Sequence, residues 1–286
     1  IQIILYKMCG IFLYSGDDSK SPIIYNEFMK SKARGPNNSS VFIEGNIFMG
    51  FHRLMINDLS HAGNQPMFFK DSVLICNGEI YNHKELIKKY NLNCVSRSDC
   101  EVIIQLYERL KSAALAASLQ TTNIPSHEEI VKKLCNELDG EFSFIIYDVD
   151  KIIVARDRYG VRPLFYGKNN NRSSIGFASE LKNLDILFDD VKQINPSSFL
   201  IINSATRDTQ ASCKYYDIVD TVAPHYINDE EDAITKIRDA LEKSVEKRLS
   251  SDVPICALLS GGLDSSLVCG IITKKLGKGI LNTFSI

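Results

Sequence analysis

The chain has 286 residues, 44% apolar and 24% charged, which fits a globular protein of one and a half to two domains and excludes a disordered or fibrous one. Thirty-three Lys and Arg stand against 35 Asp and Glu, with no basic stripe to suggest nucleic acid and no apolar run long enough to suggest a membrane span. The eight cysteines (Cys9, Cys76, Cys94, Cys100, Cys135, Cys213, Cys256 and Cys269) form no C-x-x-C pair, so neither a zinc site nor a compact disulfide framework is indicated and a reducing, cytoplasmic setting is expected.

Ile1 to Lys7 lack an initiator methionine and are too short for a secretory signal. Residues 1–8 read as a leader and initiator outside the mature fold, with Met8 as the true start; a propeptide removed by self-cleavage is the competing explanation. Met8-Cys9-Gly10-Ile11-Phe12 follows. Removal of Met8 gives Cys9 both a thiol and a free α-amine, and an amine titrating near ~8 can serve as base to a thiol titrating near ~8.5. Taken alone, Cys9 reads more readily as a small buried hydrophobe.

Cys9 to Tyr14 predicts a buried strand and Asn26 to Ala33 a short helix, before a loop of turn formers from Arg34 to Ser40. Short strands are expected at Val41–Ile43 and Ile47–Phe51, and Ser60 to Pro66 reads as a polar loop. Val73 to Cys76 reads as a strand running into Asn77-Gly78. That pair has two readings: a hairpin turn, or a side-chain amide beside a glycine N–H that together converge on one oxygen. Ser98 or Asp99 suits the N-cap of a helix carrying Val102, Ile103, Leu106 and Leu110. Lys111 to Ser126 reads as a surface extension, Glu128 to Leu138 as a helix, and Phe142–Tyr147 with Ile152–Arg156 as a hairpin. The first two hundred residues thus suggest stacked antiparallel sheets flanked by helices.

The pattern changes after Val222-Ala223-Pro224. Glu230 to Ser250 is an amphipathic helix with Ala233, Ile237, Ala240, Leu241 and Val245 on one face. Val253 to Leu259 is an apolar strand of the parallel-sheet kind, Ser260-Gly261-Gly262-Leu263-Asp264-Ser265-Ser266 opens a helix, and Leu281 to Ile286 is another strand. A glycine turn at a helix N-terminus offers bare N–H groups to phosphate, although it contains no P-loop lysine.

SGGLDSS resembles the pyrophosphate loop of the ATP pyrophosphatases. Met-Cys-Gly-Ile, Arg34-Gly35-Pro36, His52-Arg53-Leu54, Asn77-Gly78-Glu79-Ile80-Tyr81-Asn82, Ser98-Asp99 and Arg156 to Leu164 resemble the class II glutamine amidotransferases. The two occur together, in this order, in the glutamine-hydrolysing asparagine synthetases. The resemblance covers Met8 to Ile286. It implies an α+β chain: an N-terminal nucleophile hydrolase domain of four α-β-β-α layers over 9–217, then the beginning of a doubly wound α/β nucleotide-binding domain over 218–286.

The same resemblance implies glutamine hydrolysis, with the ammonia used for ATP-dependent conversion of aspartate to asparagine through β-aspartyl-AMP. Cys9 would be the nucleophile, Asn77 and Gly78 the oxyanion hole, Arg53 the α-carboxylate receptor, and Asp99 with Glu79 the ammonium receptors. Leu258, Ser260, Gly261, Gly262, Asp264, Ser265, Ser266 and Ile286 would meet ATP. ATP and Mg2+ belong to the synthetase half alone; the glutaminase step needs no cofactor and no metal site is expected. Glutamine, aspartate and ATP are the implied small-molecule partners, without nucleic acid or membrane, and a homodimer is compatible with the reading. Asn37-Asn38 stands where the family has an acidic residue, and Pro196-Ser197-Ser198 where it has Pro-Gly. Family members continue for a few hundred residues beyond Ile286, so the synthetase half reads as incomplete. The alternatives are an amidotransferase with another acceptor and an inactive scaffold; SGGLDSS and the undamaged site residues argue against them.

Overall fold

The computed structural model describes residues 8–118, 125–169, 173–218, 227 and 229–285. The chain divides into two compact units, Ile1–Asp217 and Ile218–Ile286. The expectations for the leader and for Ile286 fall outside the described residues.

Strand β1 (Gly10–Gly16) is central to the first sheet of unit one. It pairs antiparallel with β3 (Ile47–Arg53), which in turn pairs with β2 (Asn38–Glu44). Alternate residues of β1 serve two cores, as the two-residue side-chain period requires. Ile11 and Leu13 face inward to the second sheet, whereas Phe12 and Tyr14 face outward to helix α1 (Pro22–Met29). The helix begins where Ser21 accepts a hydrogen bond from the Ile23 N–H and Pro22 supplies a pre-set φ. It lies four residues earlier than the spacing of Asn26 to Ala33 predicts.

The second sheet is built on β5 (Ser72–Ile80), β6 (Gly140–Asp148) and β7 (Lys151–Arg156), with β4 (Met67–Phe69) at one edge. Val73, Ile75, Ile145 and Val154 meet the first sheet; Leu74, Cys76, Phe144 and Ile146 meet the helices. Those helices are α2 (His83–Tyr90), α3 (Glu101–Ser118) and α4 (His127–Glu137). Helix α3 continues to Ser118, so the first part of the expected surface extension is helical; its alanines favour that continuation. Helix α4 starts with a capping box between Ser126 and Glu129. The result is four layers, helix, sheet, sheet, helix, with the central strands buried on both faces. β8 (Phe165–Lys168), β9 (Ser174–Ala178) and β10 (Asp190–Gln193) complete the first sheet, and β11 (Ser198–Asn203) and β12 (Thr209–Lys214) the second. Ser197, at the Pro-Ser-Ser departure, has a φ of 58°, the left-handed conformation that suits glycine.

Two histidines, His52 buried and His127 half-buried, are expected to make this unit sensitive to acid. His52 stacks on Phe28 at 3.9 Å, with Nε2 3.0 Å from the Phe28 carbonyl and Nδ1 2.7 Å from Ser39 Oγ. His127 Nε2 lies 2.8 Å from the Tyr107 hydroxyl, which itself donates to Asp148. Burial holds both imidazoles below their ordinary pKa. Below about pH 6.5 the unfolded chain therefore binds more protons than the folded one; the stability contributed is present above that pH and is lost as pH falls through the depressed values. The urea midpoint is expected to drop between about pH 7 and about pH 5, and less steeply in His127→Gln. Equal slopes in both proteins would assign the acid loss elsewhere.

Unit two holds α5 (Glu230–Lys247), β13 (Cys256–Leu258), α6 (Leu263–Leu276) and β14 (Asn282–Phe284). β13 and β14 are parallel and joined through α6, a β-α-β unit. Strand β13 is shorter than Val253 to Leu259 predicts, and among the described residues of this unit the buried cluster consists of Val245, Ile271 and Ile272. Of the apolar face expected on α5, Ile237 is 68% exposed.

Candidate active site

Cys9 immediately precedes β1, and the register Gly10↔His52 sets it beside the end of β3. Its sulfur sits in the peptide groove of Leu54, accepting from the Leu54 N–H at 3.4 Å and donating to the Leu54 carbonyl at 3.6 Å. Arg34 Nε donates to the Cys9 carbonyl at 3.0 Å. Arg34 can come this close because its neighbour is glycine: a Cβ on Gly35 would lie 2.2 Å from the His52 carbonyl oxygen. Asn37, at the other departure from the family pattern, accepts from the Met55 N–H at 3.0 Å and so steadies the segment over the thiol. Desolvation pushes the thiol up to about 11, against the opposing pull of the Leu54 N–H. Burial thus favours the neutral thiol over the thiolate in the folded chain.

Asn77 and Gly78 do not form a hairpin turn. They continue β5 opposite Ser143 and Phe142 of β6, so the turn reading is excluded by register. The alternation that points Val73 and Ile75 toward the first sheet points Asn77 the same way, and Cys9 packs at the fringe of that same core. Asn77 is 1% exposed, and its Nδ2 finds no hydrogen-bond partner among the described residues. A buried, unpaired amide donor is costly and is the kind of group a transient oxyanion would satisfy. Gly78 has a packing reason of its own, since a Cβ there would meet the Glu141 carbonyl at 2.4 Å.

One cavity is lined by Cys9, Arg53, Gly78, Glu79 and Asp99, joining the sequence-predicted residues from four separate stretches; Asn77 is sealed next to it. Asp99 does not use its carboxylate to cap α3. Oδ2 accepts from the Ile80 N–H at 2.6 Å and Oδ1 from Asn57 Nδ2 at 3.1 Å, while burial raises its pKa. Glu79 lies 3.9 Å from Arg162, which also faces Glu141 at 3.7 Å. Arg53 is more committed than its expected role implies. Nη1 donates to the Ser60 carbonyl and Asn64 Oδ1, each at 2.7 Å, and Nη2 to the carbonyls of Asn57 and Asp58. Sequence reasoning also missed Arg34 and Asn57 as neighbours of the reacting groups. Arg34 carried a signal in its Arg-Gly-Pro loop; Asn57 carried none.

In unit two, Gly262 caps α6 and Gly261 has a φ of 81°. Ser260 Oγ lies 2.9 Å from Ser265 Oγ and accepts from the Gly262 N–H at 3.4 Å. Ser260, Gly261, Gly262, Asp264 and Ser266 are exposed at the helix N-terminus, Ser265 is partly buried, and Leu258 is exposed on β13. Among the described residues no cluster of three or more His, Cys, Asp or Glu could hold a metal ion, and no helix is long and apolar enough to cross a membrane.

Residues 51–186 match the family model described as glutamine amidotransferase domain, and residues 236–286 the one described as asparagine synthase. A probable glutamine-hydrolysing asparagine synthetase of Acanthamoeba polyphaga mimivirus is 36% identical over 98% of this chain and 52% of that protein. The glutamine-hydrolysing asparagine synthetase B of Escherichia coli is 34% identical over 85% of this chain and 40% of that protein. The chain spans about half the length of the curated relatives it matches. Among solved structures, the B. subtilis glutamine phosphoribosylpyrophosphate amidotransferase complexed with ADP and GMP superposes with a TM-score of 0.59. It covers 97% of this chain and 65% of that one at 16% identity, a likeness of fold alone.

Proposed function

This chain is a homologue of the glutamine-hydrolysing asparagine synthetases, with a glutamine amidotransferase domain followed by asparagine synthase sequence, and from that premise we propose that it hydrolyses glutamine at Cys9 and supplies the ammonia for ATP-dependent amidation of aspartate. The carrying observation is the buried, unpaired Asn77 amide on the strand face shared with the Cys9 core, beside a cavity containing Cys9 and Asp99.

In the proposed reaction, the Cys9 α-amine, once Met8 is removed, takes the thiol proton as sulfur attacks the side-chain carbonyl carbon of glutamine. The oxyanion is held by Asn77 Nδ2 and the Gly78 N–H. Proton delivery to nitrogen expels ammonia and leaves a γ-glutamyl thioester, which water cleaves to glutamate. Asp99 and Glu79 receive the substrate ammonium. Arg53 receives the α-carboxylate by exchanging the Nη1 bonds to the Ser60 carbonyl and Asn64 Oδ1, while Nη2 keeps its hold on Asn57 and Asp58.

In unit two, the loop from Ser260 to Ser266 is proposed to hold ATP phosphates, with Leu258 and Ile286 toward the adenosine, for formation of β-aspartyl-AMP. Asp264 is the one carboxylate in that loop, which fits magnesium arriving on the phosphates and keeping several waters. Magnesium would neutralise phosphate charge there. All eight cysteines are free thiols, which agrees with the cytoplasmic setting we propose.

The test incubates the protein with glutamine, ATP, magnesium and aspartate and follows glutamate, asparagine and pyrophosphate separately. Glutamate release is expected, and Asn77→Ala is expected to lower its kcat by roughly 10²–10³ through loss of one oxyanion donor. Wild-type rates in Asn77→Ala would remove the oxyanion assignment; no glutamate release from the unaltered protein would remove the glutaminase reading.

A further inference from the structure

We infer that Asn57 is a positioning residue for substrate recognition: its side-chain amide aims the Asp99 carboxylate at the amine of the bound glutamine. The inference rests on the glutaminase reading and deepens it. Asp99 is 5% exposed, and its two oxygens are held from opposite sides, Oδ2 by the Ile80 N–H at 2.6 Å and Oδ1 by Asn57 Nδ2 at 3.1 Å. One donor on each oxygen fixes the plane of the carboxylate and leaves each a further lone pair for an incoming ammonium.

Asn57 is itself on the wall of the cavity that contains Cys9. It is not a loose loop residue. Arg53 Nη2 donates to the Asn57 carbonyl at 3.2 Å and to the next carbonyl, that of Asp58. The Asp58 carboxylate then accepts from the Ser60 N–H at 3.0 Å and the Arg97 N–H at 2.9 Å, tying position 57 to the segment that carries Asp99. The same guanidinium therefore braces the peptide that presents the amide. Without the amide, Oδ1 stays buried with one donor fewer, and the carboxyl group either rotates off the substrate direction or holds a proton. Either outcome weakens recognition of the amine while leaving Cys9, Asn77 and Gly78 in place.

The test compares the intact protein with Asn57→Leu, of similar size and lacking the donor, and Asn57→Ser, too short to reach Asp99. Each is assayed with glutamine and with 4-carbamoylbutanoate, the same molecule lacking the α-amine. Loss of a hydrogen bond to a charged group predicts a KM for glutamine about tenfold higher, kcat lowered less than about threefold, and a preference for glutamine over the amine-free analogue reduced about tenfold. Asn57→Gln, which keeps the donor, is expected to restore much of that preference. In an Asp99→Asn background, Asn57→Leu should add little, because the two act as one unit. A preference unchanged in both Asn57 variants, or losses that add fully in the double variant, would show that Asn57 only packs the loop and would overturn the inference. If the unaltered protein releases no glutamate, the reading beneath it fails first and the inference falls with it.

Discussion

Cys9→Ala is expected to lower glutamate release by at least about 10³-fold, because the other thiols lining the cavity, Cys76 and Cys100, are buried and have no α-amine of their own to serve as base. The domain should remain folded. Cys9 is half-buried, and its side chain makes two hydrogen bonds to the Leu54 peptide and packs at the edge of the core, so the thermal midpoint should move by no more than a few degrees. Cys9→Ser is expected to fall nearly as far, since an alkoxide is harder to generate beside a weak base. Differential scanning fluorimetry alongside glutamate detection separates loss of chemistry from loss of fold. Undiminished hydrolysis by a folded Cys9→Ala protein would remove the nucleophile assignment.

A second large effect concerns Met8. A thiol pushed up to about 11 is ionised to only ~10⁻⁴ at neutral pH, so its proton has to leave during attack. His52, in the opposite strand, has both ring nitrogens engaged, and Asp99 has a donor on each oxygen. Glu79, on the same cavity wall, faces Arg162 at 3.9 Å, and the base we propose is the α-amine that Cys9 acquires when it becomes the first residue. With Met8 attached, that nitrogen is a non-basic amide, and Arg162 Nη1 contacts the Met8 sulfur at the edge of the site. Protein beginning at Met8 is therefore expected to be slower than protein beginning at Cys9 by roughly 10²–10⁴, the usual worth of a positioned base. Intact-mass measurement of an active sample checks this directly: full activity with Met8 retained would rule out the amine as base.

The continuous apolar runs of β1 and β5 were legible in the sequence, and with them the stacked sheets; so were α4, the β6–β7 hairpin and the glycine turn before α6. Helix α1 carried a readable signal in Ser21-Pro22 that apolar spacing alone misplaces. Helix α2 was missed because its start at Asn82 has no side-chain cap and its amphipathic run is short. Asn77-Gly78 could not be assigned because local turn chemistry and strand register compete, and register is set by β6, which pairs Asn77 with Ser143, far along the chain. Nor could sequence show that Arg53 is committed to backbone carbonyls, since every residue has a carbonyl and only folding selects which ones converge.

Gly78 and Gly140 have a consequence for how this fold can vary. The two are reciprocal: a methyl on Gly78 would strike the Glu141 carbonyl at 2.4 Å, and one on Gly140 would strike the Glu79 carbonyl at 2.2 Å. A collision with backbone cannot be relieved by trimming a neighbouring side chain; the paired strands themselves would have to shift. Substitution at either position is expected to disturb the β5–β6 pairing whether or not Cys9 is competent, so loss of activity and loss of fold go together there.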